Sequence, residues 1–331
     1  MKRRELMALI GGLAISWSLA CYAQQPKQPL KRVGVLTPVS PCPLQPDNLI
    51  VRRLAELGWV EGQNFVFECV SAFGRLDQLP ALAHELVSRR PDVLPTGSLL
   101  FVSALKQETA TIPIVMLGSS EPLRSGLITS FARPGGNVTG VAGFMLLAKE
   151  MELLKEIVPN LRRVAWIVGV PGTASYPPEV SKFAEDYRTT AARTLGFSWQ
   201  VFRSATASDY DEIFARLAAE HFDAAYIPTT PFNTNNFMRI CQLALRHRIP
   251  TVSEPAVWAK EGLLLSYGQD NVWSIARGLE YVDKILRGAK PSDLPVEQAT
   301  KILLTINLKT AKALGLTVPP SLIARADEVF E

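Results

Sequence analysis

The residues best suited to chemistry are hydroxyls, two acids and a few rings, grouped in short segments. They are Ser98 and Leu99; Ser119, Ser120 and Glu121; Thr229, Thr230 and Phe232; and Glu254, together with Phe144 and Tyr267. Hydroxyls and the free N–H groups of helix N-termini suit an anionic group such as a carboxylate. Glu121 and Glu254 suit an ammonium, and the aromatic rings can sandwich an apolar body. Together they fit a zwitterion. Each also has a plainer role, since a hydroxyl can cap a helix and a ring can fill a core. Catalytic residues are not expected: no Gly-x-Gly-x-x-Gly follows a strand, and there is no Walker loop and no Gly-x-Ser-x-Gly elbow. No cofactor or metal is expected either, because no two cysteines have metal-ligand spacing and His84, His221 and His247 stand apart.

These segments recur at the ends of β-rich runs in a chain that repeats itself. Arg32-Val33-Gly34-Val35-Leu36 is echoed by Arg163-Val164-Ala165-Trp166-Ile167, and Asp92-Val93-Leu94 by Asp223-Ala224-Ala225, both pairs at an offset of 131. At the same offset Leu79, Leu82, Ala83 and Leu86 fall on Tyr210, Ile213, Phe214 and Leu217, the i, i+3, i+4, i+7 pattern of a helix buried on one face. Ile112-Pro113 returns as Ile249-Pro250.

In the first half, strands are predicted at 33–37, 65–70, 92–95, 112–117 and 138–141, with helices at 47–57, 77–90, 99–109 and 122–132. In the second half, strands at 164–168, 198–202, 223–227, 250–254 and 263–266 alternate with helices at 179–195, 209–221 and 233–247. Such alternation implies parallel sheets with right-handed crossovers and helices on both faces. Ser208 and Asp211 read as a capping box, and Gly58 and Gly196 as C-terminal caps. A tail fits neither copy: a helix at 272–287, a strand at 301–306 and a helix at 309–315.

The expected fold class is therefore α/β, with two similar doubly wound parallel-sheet lobes joined by a multi-strand hinge. Residues 31–141 plus about 264–290 are assigned to the N-terminal lobe, and 142–263 plus about 291–331 to the C-terminal lobe. In open parallel sheets ligands lie beyond the carboxyl ends of the strands, so two facing lobes place the hydroxyl-rich loops around one cleft.

Composition sets the compartment. The chain has 331 residues, 47% of them hydrophobic and 20% charged, with a net charge of +4, too weak a field for a nucleic-acid partner. Lys2, Arg3 and Arg4 precede an apolar run from Leu6 to Ala20, and Ala23 precedes Gln24, the pattern of a cleaved export signal over residues 1–23. Removing it takes away three basic residues and one acid, leaving a nearly neutral periplasmic protein. Arg3-Arg4 resembles a twin-arginine signal, and Ser18-Leu19-Ala20-Cys21 an imperfect lipoprotein box, so the export route and lipid anchoring at Cys21 both stay open.

Longer motifs carry a resemblance. Arg133-Pro134-Gly135-Gly136-Asn137-Val138-Thr139-Gly140, Leu264-Leu265-Ser266-Tyr267-Gly268, the run Gly288 to Pro295 and the closing stretch from Ile306 to Glu328 resemble ABC-transporter substrate-binding proteins of the family that includes tryptophan- and tyrosine-uptake components. The resemblance spans residues 31–331. It implies a type I periplasmic-binding-protein fold: a monomer that closes over a small-molecule ligand, an amino acid or small carboxylate, and hands it to an ABC permease in the inner membrane. A receptor presenting its ligand to a membrane sensor and an exported enzyme using the same cleft are the alternatives. The chain departs from the family at Ser119-Ser120-Glu121-Pro122, where Gly-Asp-Pro is usual, at Thr96-Gly97-Ser98-Leu99, and at Asn233 to Asn236, where paired arginines are usual. These departures bear on ligand identity more than on fold.

Export also bears on the cysteines. Cys42 follows the first predicted strand and Cys69 ends the second, and these strands are neighbours in the expected sheet. A Cys42–Cys69 disulfide is therefore expected, with Cys241 left as a buried thiol in a helix.

Overall fold

The computed structural model describes residues 29–38, 42, 48–73, 75–169 and 178–331. The expected export signal over residues 1–23 lies outside the described residues.

In the first half, β1 (Lys31–Thr37), β2 (Phe65–Ser71), β3 (Leu94–Thr96), β4 (Ile114–Ser120) and β5 (Val138–Gly143) alternate with α1 (Leu49–Glu56), α2 (Leu79–Ser88) and α3 (Leu99–Glu108). β1 pairs in parallel with β2, β3 with β4, and β4 with β5. The amide of Gly34 donates to Val93 O at 2.9 Å and joins β1 to the start of β3. The spatial order is thus β2-β1-β3-β4-β5. The second half repeats it with β6 (Arg163–Gly169), β7 (Ser198–Ser204), β8 (Ala224–Tyr226), β9 (Thr251–Ser253) and β10 (Leu265–Gln269), ordered β7-β6-β8-β9-β10.

The echo in the sequence is an echo of contacts. Asp92 Oδ2 accepts the Arg32 amide at 2.7 Å, and Asp223 Oδ2 accepts the Arg162 and Arg163 amides at 2.8 Å. Each aspartate, just before the third strand of its half, ties down the start of the first. Likewise Pro113 O accepts from Leu94 and Pro250 O from Ala225, both at 2.8 Å. The prolines stand just ahead of β4 and β9, where a missing N–H leaves the ladder intact.

Two predicted features differ, and one helix was not predicted. Residues 122–132 form turns, not a helix. Gly126 takes φ 69°, and the Thr129 and Ser130 hydroxyls bond the Arg133 carbonyl, so local side-chain and turn bonds replace the helical ladder. Ser208 makes no side-chain cap. Instead Asp209, the first residue of the helix, reaches back to the preceding turn, its Oδ2 accepting the Ala205 and Thr206 amides at 2.7 and 3.0 Å. The helix unmarked in the sequence reading, α4 (Leu147–Ile157), follows β5. The remaining second-half helices are α5 (Pro178–Leu195), α6 (Asp209–Ala219), α7 (Pro231–Arg246) and the short α8 (Ala256–Lys260).

The tail laces the lobes together. α9 (Asn271–Leu286) packs Leu279, Val282 and Ile285 against Val33, Val35, Leu54 and Phe65 on one face of the first sheet. β11 (Glu297–Gln298) adds to β5, and β12 (Ile302–Asn307) runs antiparallel to β10, followed by α10 (Leu308–Leu314), α11 (Pro320–Ile323) and β13 (Glu328–Phe330) beside β12. The chain therefore passes between lobes after β5, after β10 and after β11. This moves two expected boundaries: residues 265–269 belong to the second sheet, through pairing with β9 and β12, and 297–298 to the first, through pairing with β5. Periodicity marks a strand but carries no information about which partner it pairs with.

The opposite face of the first sheet buries Leu82, Leu86, Phe101, Leu105 and Met116. In the second lobe, Leu147, Met151 and Leu154 of α4 pack with Val164, Trp166 and Leu264 on one face, and Phe214, Leu217, Ile240 and Trp258 fill the other. Burial of each such side chain contributes about 1.5–3 kcal/mol. Among the described residues no helix is long and apolar enough to cross a membrane.

Candidate functional site

The carboxyl ends of the strands in both lobes converge on one region. Asn235, in α7 of the second lobe, donates to Pro38 O just after β1 at 2.8 Å. Phe232 packs against the cores of both lobes and stacks on Tyr210 at 6.1 Å. Cys42 and Cys69 form a disulfide with a Cα separation of 6.2 Å, fixing the segment after β1 to β2 beside this contact.

On the second lobe, Glu254 follows β9. Its Oε2 accepts from Thr229 Oγ1 at 2.6 Å, and its Oε1 from the Tyr226 hydroxyl at 3.3 Å. β10 comes so close that a Cβ at Gly268 would lie 2.9 Å from Glu254 Cα, which is why the Tyr267-Gly268 motif needs glycine. Burial pushes the Glu254 carboxyl up, against the hydrogen bonds from Thr229 and Tyr226.

Behind it stands Glu150, in the first turn of α4. It is fully buried, and no hydrogen bond closes on either carboxyl oxygen. Its ionisation is pushed well above the carboxylate range, first by burial and then by the charge of Glu254, while the nearby Tyr226 hydroxyl acts in the opposite direction. Tyr226 is itself fully buried and stacks on Trp166 at 4.6 Å.

On the first lobe, Glu121 sits just past β4 with φ 55°. Its Oε2 lies 3.2 Å from Arg124 Nε, and the Met145 amide bonds its carboxyl. Burial nevertheless raises its ionisation range, with Arg124 opposing. Tyr187 of α5 reaches the same spot, its hydroxyl donating to Met145 O at 3.1 Å.

The other expected residues divide. Ser98 is the N-cap of α3 but makes no side-chain cap bond, and Leu99 opens that helix against the first core. Ser119 is buried with its hydroxyl unpartnered, and Ser120 closes β4. Phe144 is half-buried between β5 and α4. Thr230 is a helix cap, accepting the Asn233 amide at 3.1 Å and donating to Gly169 O at 2.9 Å. Tyr267 packs on the second core. Asn233, where the family's arginines are absent, is buried as a strut: it accepts from Tyr210 and donates to the Ile167 and Pro228 carbonyls. Sequence reading missed Glu150, though the spacing of Leu147, Met151 and Leu154 is a helical stripe that places position 150 beside it.

Two doubly wound lobes crossed by three chain segments, with strand ends facing across a cleft, define a type I periplasmic-binding-protein fold. The ABC transporter substrate binding protein family matches residues 32–330, and the chain belongs to that family. Members of this family bind substrate outside the cytoplasm and work with ABC permeases. A tyrosine-binding protein of Clostridioides difficile is 23% identical over 266 residues, 80% of this chain and 75% of that protein. A conserved domain protein from Vibrio cholerae superposes with a TM-score of 0.78 at 25% identity, covering 90% of this chain and 99% of the other. A Streptococcus pneumoniae ABC domain in complex with L-Trp superposes with a TM-score of 0.77 at 23% identity, covering 91% and 100%.

Proposed function

We propose that this protein is the solute-receptor subunit of an ABC importer, exported to the periplasm, which captures an amino acid or small carboxylate by closing two lobes and delivers it to an inner-membrane permease. What supports this is a carboxyl held by two hydroxyls at the strand ends of the second lobe, Glu254 with Thr229 and Tyr226, together with a helix start in the first lobe where Ser98 makes no side-chain cap bond. The first suits an ammonium and the second a carboxylate. The similarity to a tyrosine-binding protein and to an L-Trp complex supports the amino-acid class. Closure is stabilised to the extent that the ligand touches both lobes.

Thermal-shift screening against amino acids, their deaminated analogues and small carboxylic acids tests the reading. A ligand at 100 times its dissociation constant stabilises by about 2.7 kcal/mol. Turnover of a substrate, with no ligand shifting the melting point, would overturn it.

A further inference from the structure

We propose that Glu150 and Glu254, which flank the Tyr226 hydroxyl, form a cation subsite beside the strand ends of the second lobe, and that the group it takes is a protonated amine. The inference rests on the reading of the cleft as the ligand site and deepens it. Glu254 is partly exposed at the strand ends and already accepts two hydroxyl bonds, whereas Glu150 is fully buried with the Tyr226 hydroxyl, committed to Glu254, as its nearest donor and no hydrogen bond of good geometry on either carboxyl oxygen. Two carboxyls packed together without a cation satisfy their electrostatics in one of two ways: they retain a proton, or they accept a positive ligand.

Among the described residues no protein cation fills the role. The groups facing Glu150 are Glu254 after β9, Tyr226 of β8 and Tyr187 of α5, with Glu121 beyond Tyr187. Arg124 is engaged by Glu121, and Arg188 lies over the Trp166 ring and pairs with Glu185. On α4 itself, Lys149 pairs with Glu152 at the surface.

Without a cation beside them, the two carboxyls are expected to share a proton. When an ammonium enters, both can ionise around it, and the displaced proton leaves to solvent. The ligand arrives already protonated, so one proton is released for each ligand bound.

Isothermal titration in two buffers of different ionisation enthalpy counts that proton. The probes are L-tyrosine, L-tryptophan, tyramine, putrescine and 3-(4-hydroxyphenyl)propionate. The expected result is that at least one amine probe binds with proton release, and at least tenfold more tightly than the deaminated acid. Glu150→Gln should abolish the release and weaken the amine probe while leaving the circular dichroism spectrum unchanged. Tyramine or putrescine binding with proton release, with no binding of either amino acid, would uphold the subsite and refute the amino-acid reading. Equal binding of L-tyrosine and its deaminated analogue, amine binding without proton exchange, undiminished proton release in Glu150→Gln, or no binding of any amine at millimolar concentration would overturn the subsite.

Discussion

Removing the Cys42–Cys69 bridge by the double change Cys42→Ser and Cys69→Ser should weaken the first lobe by a calculable amount. The cysteines are 27 residues apart. Chain entropy for a closed loop of that length gives about 3.5 kcal/mol at 25 °C. The bridge fastens the segment after β1 to the end of β2, and Pro38 in that segment accepts from Asn235 of the other lobe. Unfolding should therefore start in the first lobe, and ligand affinity should fall with it. Urea denaturation followed by tryptophan fluorescence reads this: Trp59, bonded to Asp283, reports the first lobe, and Trp166 and Trp199 report the second. The earlier transition should move to lower urea, and reduced wild-type protein should behave like the variant. A loss below about 1 kcal/mol would refute the chain-entropy reasoning, since a loop this long must then be held closed by other contacts.

The remaining predictions concern burial and charge. Burial raises the ionisation of Glu150 above its value in the unfolded chain, so the stability it contributes is present below the ordinary carboxylate range and is lost as pH rises through the raised value. Ligand-free Glu150→Gln should accordingly melt above wild type at about pH 8, with the gap closing toward acid pH in a pH series of melting curves. Burial also pushes the Cys241 thiol up to about 12, so it should resist thiol reagents in the native protein at neutral pH and react on denaturation. Asn233→Ala strands the Tyr210 hydroxyl and two carbonyls and should cost about 2–4 kcal/mol in chemical denaturation. Gly268→Ala drives a methyl into the Glu254 backbone and should weaken ligand binding more than a change at exposed Val272 would.

Much of the architecture is legible because local patterns repeat. The echo of Arg32–Leu36 in Arg163–Ile167, with Asp92 and Asp223 at one offset, encodes two copies of one sheet, and the paired aspartate contacts are its physical content. The turn at 122–132 was illegible because side chains such as Thr129 compete with the helical ladder only once the Arg133-Pro134 carbonyls are folded beside them. Sheet membership of β10 and β11 depends on long-range pairing, which periodicity does not carry. The acids after the strands were visible as loop residues. Glu150 was not, because a charged residue inside a helical stripe reads as surface until packing shows it to be fully buried.

The central claim is that ligand is held between the lobes by groups from both. A crystal structure of the complex with the amino acid giving the largest thermal shift tests it most directly. The ammonium should lie within hydrogen-bond reach of Glu254 on the second lobe and the carboxylate at the start of α3 on the first. A ligand touching only one lobe, or lying away from Glu254, would contradict it.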